Sequence, residues 1–179
     1  MKVSAVKREN WRVDAPAIVV DHQNTILEMH KRGELERDFV VVLRFQGPRA
    51  NGMPELHKLT PILGALQDKG FKVALVTDGR MSGASGKVPA AIHMHPEAKL
   101  GGQLAKVRTG DMICLDPLTG AVNVVSDEDW MSREPAPYPP QPQLSALGMN
   151  MFGPMRELCT NAESGASFLG DLAIGEENS

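Results

Sequence analysis

Cysteine is scarce in this chain of 179 residues: only Cys114 and Cys159 occur, far apart and outside any Cys-x-x-Cys pattern. That scarcity excludes a disulfide scaffold, and two such cysteines cannot by themselves hold a zinc ion or an iron–sulfur cluster. Cys114, in DMICLD, has the setting of a strand residue, and Cys159 lies on the apolar side of an expected helix. Both are therefore expected to be buried free thiols. Excess positive charge is missing too. The 19 Lys and Arg are outnumbered by 22 Asp and Glu, and the net charge of −3 argues against a nucleic-acid partner. No apolar run approaches the ~20 residues of a membrane span, and no signal-peptide pattern opens the chain. The expectation is a soluble, cytoplasmic protein with no membrane partner. Internal repeats are also lacking.

Apolar residues make up 42% of the chain, enough for a globular core in one domain or one domain plus an arm. The opening MKVSAVK alternates like a strand with no lead-in, which suggests that Met1 begins a fragment of a longer protein. Residues 18–20 form a short apolar strand, and Asp21 is the expected N-cap of a helix ending near Gly33. FVVVLRF, residues 39–45, is a continuous apolar run, as in a strand covered on both faces. Leu56, Leu59, Leu63 and Leu66 recur at helical spacing, and Pro61 must either kink this helix or begin a new one capped by Thr60. Gly70 ends it, and FKVALVT is a second buried strand. Strand, helix, strand predicts a parallel pair with a right-handed crossover.

Beyond residue 100, AKVRTGDMICLDPLTGAVNVV suggests three short β segments separated by turn signals. Residues 132–142 carry five prolines and should form an extended arm. A helix is expected from Pro154, with Met155, Leu158, Cys159 and Ala162 on one face. The closing IGEENS is expected to fray.

Loops at the carboxyl ends of neighbouring parallel strands meet at one edge, where α/β proteins place ligands. Here one loop holds GPRANGMPE and the other DGRMSGASGK, so Glu55 and Ser82 should face one pocket although 27 positions apart. The second loop is not a nucleotide P-loop: Met81 stands five positions before Gly86, and Val88 replaces the hydroxyl residue after the lysine. Its glycines still allow inward-facing amides, which leaves an anion site open, with Arg80 and Lys87 to supply charge. GRMSG is not a Gly-x-Ser-x-Gly elbow, and on the residues alone a turn serine is favoured for Ser82. Glu55 is equally an ordinary first-turn acid. His93 and His95 alternate on one face, and with no third ligand evident, packing is favoured over metal binding.

GPRANGMPELHKL followed by VALVTDGRMSGASGKVPAAIHMHPEA closely resembles the dihydroxy-acid and 6-phosphogluconate dehydratase family, in order and spacing, from about residue 2 to about residue 168. ANGMPELHKL and SGASGKVP are similar to its phosphogluconate branch. The resemblance implies the C-terminal domain of a hydro-lyase that dehydrates 6-phospho-D-gluconate to a 2-keto-3-deoxy acid in the Entner–Doudoroff pathway. It implies an α/β fold, a swivelling β/β/α domain with a barrel-like sheet and flanking helices. Residues 1–131 would form that domain. Residues 132–179 would be the arm and C-terminal helix, packed on it or on a partner. It further implies an iron–sulfur cluster, 4Fe–4S in preference to 2Fe–2S, held by cysteines of an N-terminal domain absent here, together with magnesium and a homodimer when intact. By position, Glu55 matches the magnesium ligand and Ser82 the base that takes the C2 proton. Asp78 and Arg80 belong to the same motif as Ser82, where they would shape the loop and orient substrate, and Asn51 is a further substrate-binding candidate. Ser85 and Lys87 are candidates for the phosphate end on chemistry alone. The rivals are another sugar-acid or dihydroxy-acid dehydratase, and a non-catalytic binding domain that reuses the fold.

Overall fold

The computed structural model describes residues 1–82, 86–126, 129–139 and 151–169. Its elements are β1 (Val13–Val20), α1 (Gln23–Lys31), β2 (Phe39–Leu43), α2 (Pro48–Asn51), α3 (Leu59–Asp68), β3 (Val73–Thr77), β4 (Ala90–Ala91), β5 (Met112–Asp116), β6 (Ala121–Val125) and α4 (Gly153–Leu158). The six strands form one sheet in the order β4-β3-β2-β1-β5-β6, curled into a half-barrel with helices packed against it. This is the mixed α/β fold the sequence leads one to expect.

Every residue of β2 and of β3 is buried, because both faces of the sheet are covered. The period of two divides the side chains between two cores. Phe39, Val41 and Leu43 pack with Ile26, Leu59, Leu63 and Leu66 beneath the helices. Val40 and Val42 pack on the opposite face with Ala15, Leu104, Ile113 and Leu115. The β2–α3–β3 unit is parallel, with Phe39 opposite Val73 and Leu43 opposite Thr77.

β1 is longer than residues 18–20 because Asp14 and Pro16 interrupt its apolar run without ending the strand; both point to solvent. Its two halves serve different partners. Ala17–Val20 run parallel to β2, while Val13–Pro16 run antiparallel to β5.

Several local expectations are corrected. His22, not Asp21, caps α1, its Nδ1 accepting from the Asn24 amide at 3.1 Å. Asp21 instead pairs with Arg44 at 2.8 Å. α3 begins at Leu59, so Pro61 falls in its first turn, where a missing N–H costs nothing, and neither a kink nor a Thr60 cap is needed. Among the described residues MKVSAVK contributes only one ladder pair, Lys2 with Ala90, because a turn from Val3 to Val6 follows at once. The first of the three expected β segments is a 3₁₀ turn, Gln103–Lys106, that buries Leu104 and Ala105.

Cys114 faces outward on β5 opposite Asp14 and is only part-buried, and Cys159 is part-buried at the end of α4. The hydrogen bond that the Cys114 thiol donates to Asp14, then burial, raises the thiol above its ordinary value. Met155 and Leu158 are exposed, so the face expected on the last helix does not enter this core.

From the proline-rich arm, Arg133 pairs with Asp111 at 2.6 Å, Ala136 N–H donates to Ala105 O, and the Tyr138 hydroxyl donates to Ala50 O. The described part of the arm thus lies along the half-barrel, with Tyr138 beside α2. Residues 140–142 and the terminal IGEENS lie outside the described residues.

Leu63→Ala should cost roughly 2–5 kcal/mol, since the side chain is fully buried under α3. Leu118→Ala, on an exposed turn, should stay within about 0.5 kcal/mol. Urea unfolding followed by circular dichroism measures both, and equal effects would contradict this placement of the core.

Candidate functional site

Because β2 and β3 are parallel neighbours, the loops that follow them leave the same edge of the sheet. Two buried carboxylates set the course of these loops. Asp78, just after β3, has no exposed surface. It accepts from the amides of Gln46 at 2.8 Å, Ala98 at 2.9 Å and Phe45 at 3.2 Å. Glu97 accepts from Arg49 and Ala50 at 3.0 and 3.1 Å, which caps the first turn of α2. Gly47 makes room for it: a Cβ there would lie 2.3 Å from a Glu97 carboxylate oxygen. Gly79 similarly leaves space for Gln46, whose Cβ would be 2.6 Å from an added methyl. Burial raises the Asp78 carboxyl to about 6 against the opposing pull of its amide donors, and the nearby Glu97 charge adds to the rise.

Above this floor the two loops join. Glu55 and Arg80 form a parallel bridge. The Glu55 carboxylate accepts from the Ser82 amide at 3.0 Å and from the Arg80 guanidinium at 3.2 Å. Arg80 Nε also donates to Met53 O at 2.7 Å. Met53 holds a left-handed φ of 53°, and Gly52 before it φ 68°, so the chain reverses sharply between α2 and Glu55. Lys2 donates from its ammonium to the Ser82 carbonyl. Glu55 and Ser82 are thus in direct contact across two loops.

The other candidates take different places. Asn51 ends α2 and donates from its side-chain amide to Gln46 at 3.0 Å. Asp78, expected to shape its loop and orient substrate, lies beneath the loops with its carboxylate engaged by backbone amides. Lys87 is exposed and lines shallow depressions against α3 with Gly64 and Asp68; neither Glu55 nor Ser82 lines them. Ser85 lies outside the described residues. His93 and His95 are exposed, not paired on a strand face, and His93 adopts φ 58°. A mostly apolar hollow of about 300 Å³, lined by Val42, Leu104, Ile113 and Trp130, opens elsewhere on the half-barrel.

Sequence reasoning missed Glu97 and Lys2. An acid in the His-Pro-Glu-Ala run, just before a short turn, was the available signal for Glu97. Lys2 carried none beyond its place in an alternating segment.

Among the described residues no three His, Cys, Asp or Glu side chains cluster as a metal site. Glu55 offers one carboxylate. The two cysteines stand on β5 and after α4, in unrelated surroundings, and do not fit an iron–sulfur cluster.

A curled α/β sheet whose polar loops meet beyond its parallel strands is an α/β domain of the architecture in which ligands lie at the carboxyl ends of the strands. The sequence matches, over residues 1–166, the family described as dihydroxy-acid/6-phosphogluconate dehydratase C-terminal, and the chain belongs to that family. It is 57% identical over 167 residues to a phosphogluconate dehydratase of Pseudomonas aeruginosa, covering 93% of this chain and 27% of that protein. A phosphogluconate dehydratase of Escherichia coli K12 is 52% identical over 172 residues, 93% of this chain and 28% of that protein. A dihydroxy-acid dehydratase of Ignicoccus hospitalis is 36% identical over 168 residues, 93% of this chain and 30% of that protein. The chain therefore spans little more than a quarter of the length of these relatives.

The folded chain takes up the Asp78 proton near pH 6 and the unfolded chain near 3.8. The stability owed to that proton is therefore complete below about 3.8 and is lost as pH rises through 6. The stability advantage of wild type over Asp78→Asn should thus be larger at pH 5 than at pH 7.5. Paired urea titrations test this, and a smaller advantage at pH 5 would be the wrong sign.

Proposed function

We propose that this chain is the C-terminal domain of a hydro-lyase that converts 6-phospho-D-gluconate to 2-dehydro-3-deoxy-6-phosphogluconate. The observation that carries the reading is the contact between Glu55 and Ser82 across two loops whose sequences match the family. The sequence is more similar to the phosphogluconate dehydratases than to the dihydroxy-acid enzyme, at 57% and 52% against 36% identity, which favours the phosphorylated sugar acid. The cytoplasmic location and the homodimer belong to the same reading.

In this mechanism Ser82, as its alkoxide, accepts the proton from C2 of the substrate. The C2–H electron pair forms a double bond to C3, the C3 hydroxyl leaves as hydroxide and takes the proton from Ser82 to become water, which restores the alkoxide, and the enol tautomerises to the 2-keto acid. Arg80 keeps positive charge beside the site, where a substrate carboxylate would approach. Asp78 and Glu97 hold the loops from below.

Glu55 would supply one carboxylate to a magnesium ion, with the remaining ligands coming from substrate, water or the rest of the full-length enzyme. Such an ion, when bound, supplies positive charge that polarises substrate oxygens. The iron–sulfur cluster implied by the family has no ligand set here, and no step of this chain's chemistry is drawn through it. Lys87 lines depressions against α3 that neither Glu55 nor Ser82 lines, so the phosphate end is left to the rest of the enzyme.

In the full-length enzyme Ser82→Ala should reduce dehydration and C2-proton exchange with deuterated solvent by about two to four orders of magnitude. Folding and cofactor content should change little, because truncating one hydroxyl leaves almost no cavity. Near-normal exchange would show that this serine only turns the chain. The 179-residue chain alone should be inactive and acquire no stoichiometric cluster on anaerobic reconstitution. Iron and sulfide analysis checks that, and a full complement would overturn the assignment of cluster ligands to another domain.

A further inference from the structure

Ser82 is held at both ends of its backbone by charged side chains from distant segments. Its N–H donates to Glu55, and its carbonyl accepts from the ammonium of Lys2, 80 positions away. Lys2 is itself fixed. It forms the only ladder pair of the N-terminal segment among the described residues, with Lys2 N–H donating to Ala90 O at 2.7 Å and Ala90 N–H to Lys2 O at 3.1 Å. β4 lies beside β3 at the carboxyl edge that carries the loop, so the pair sets the lysine stem over the serine. The side chain is part-buried. An isolated ladder pair contributes little to a sheet, yet here it delivers one flexible cation to one carbonyl of the site.

We infer that Lys2 is a positioning residue for the site, fixing the Ser82 backbone from the carbonyl side as Glu55 fixes it from the amide side. The inference rests on the reading of Ser82 as the group that accepts the C2 proton. Two charge-assisted hydrogen bonds of opposite sense, from two other segments, fix the Ser82 backbone. The ammonium acts through the serine and need not touch substrate.

The test is a double-mutant cycle in the full-length enzyme, with dehydration and C2-proton exchange as readouts. Lys2→Met should lower kcat and exchange together by about ten- to a hundredfold, as expected for misplacement of a catalytic group, with KM nearly unchanged. Lys2→Arg, which keeps a donor cation, should recover most of the loss. Lys2→Met added to Ser82→Ala should cost nothing further, because the lysine acts through that serine. Amide exchange at Ala90, which depends on the backbone of Lys2 and not on its side chain, should stay at wild-type protection and so establishes that the edge remains folded. Multiplying losses in the double variant, or a raised KM with kcat kept, would overturn the inference by making Lys2 an independent or substrate-binding group. A Lys2→Met enzyme of wild-type rate would overturn it while leaving Ser82 as the base. Wild-type exchange in Ser82→Ala alone would overturn both readings.

Discussion

The site depends on two carboxylates buried beneath it. Asp78 and Glu97 give up hydration that water supplies freely to a surface acid, a cost of several kcal/mol for an unpartnered charge. In return they gather five backbone amides from three separate stretches of chain. Each of those amides would otherwise be a buried donor in need of an acceptor. The raised Asp78 carboxyl shows burial winning by a margin, even with its amide donors in place. Few residue types could replace them. A neutral amide side chain has one acceptor and one donor end, and would set N–H against N–H at one of these contacts.

The loops consequently divide into a dry lower layer and a wet upper one. Below, charge is matched by fixed peptide dipoles, and Gly47 and Gly79 let the chains approach more closely than a methyl group would allow. Above, Glu55 and Arg80 remain open enough to exchange protein partners for a ligand. Arg80, half-exposed, can release Glu55 at little cost, since exposed ion pairs contribute little stability. The lower layer supplies constancy of position, and the upper layer supplies chemistry.

The legible parts of the fold were those with unbroken local patterns. β2 and β3 are apolar throughout, and the leucines of α3 keep helical spacing, so the crossover and the meeting of Glu55 with Ser82 follow from order along the chain. β1 was half hidden because Asp14 and Pro16 break the run while preserving its alternation. The strand expected at the N-terminus failed because a turn at Val3–Val6 leaves only Lys2 to pair. Glu97 and Lys2 were invisible for a different reason. Their partners lie 47, 48 and 80 positions away, and only the completed sheet brings them near. Asp78 was read as shaping its loop from its place in the motif, but nothing local indicates that the end of β3 turns its carboxylate inward onto three amides.

The division of β1 between two partners has a consequence for synthesis on the ribosome. Its second half meets β2 soon after emerging, but its first half waits for β5, with Val13 opposite Leu115. At about 5–20 residues per second that interval lasts roughly 5–20 seconds, during which a strand edge stands without its neighbour. Unpaired edges recruit other chains, and charge and proline are the usual deterrents. Asp14 and Pro16 lie in that waiting half. The residues that obscured the strand thus guard a nascent chain against premature pairing until its own hairpin arrives.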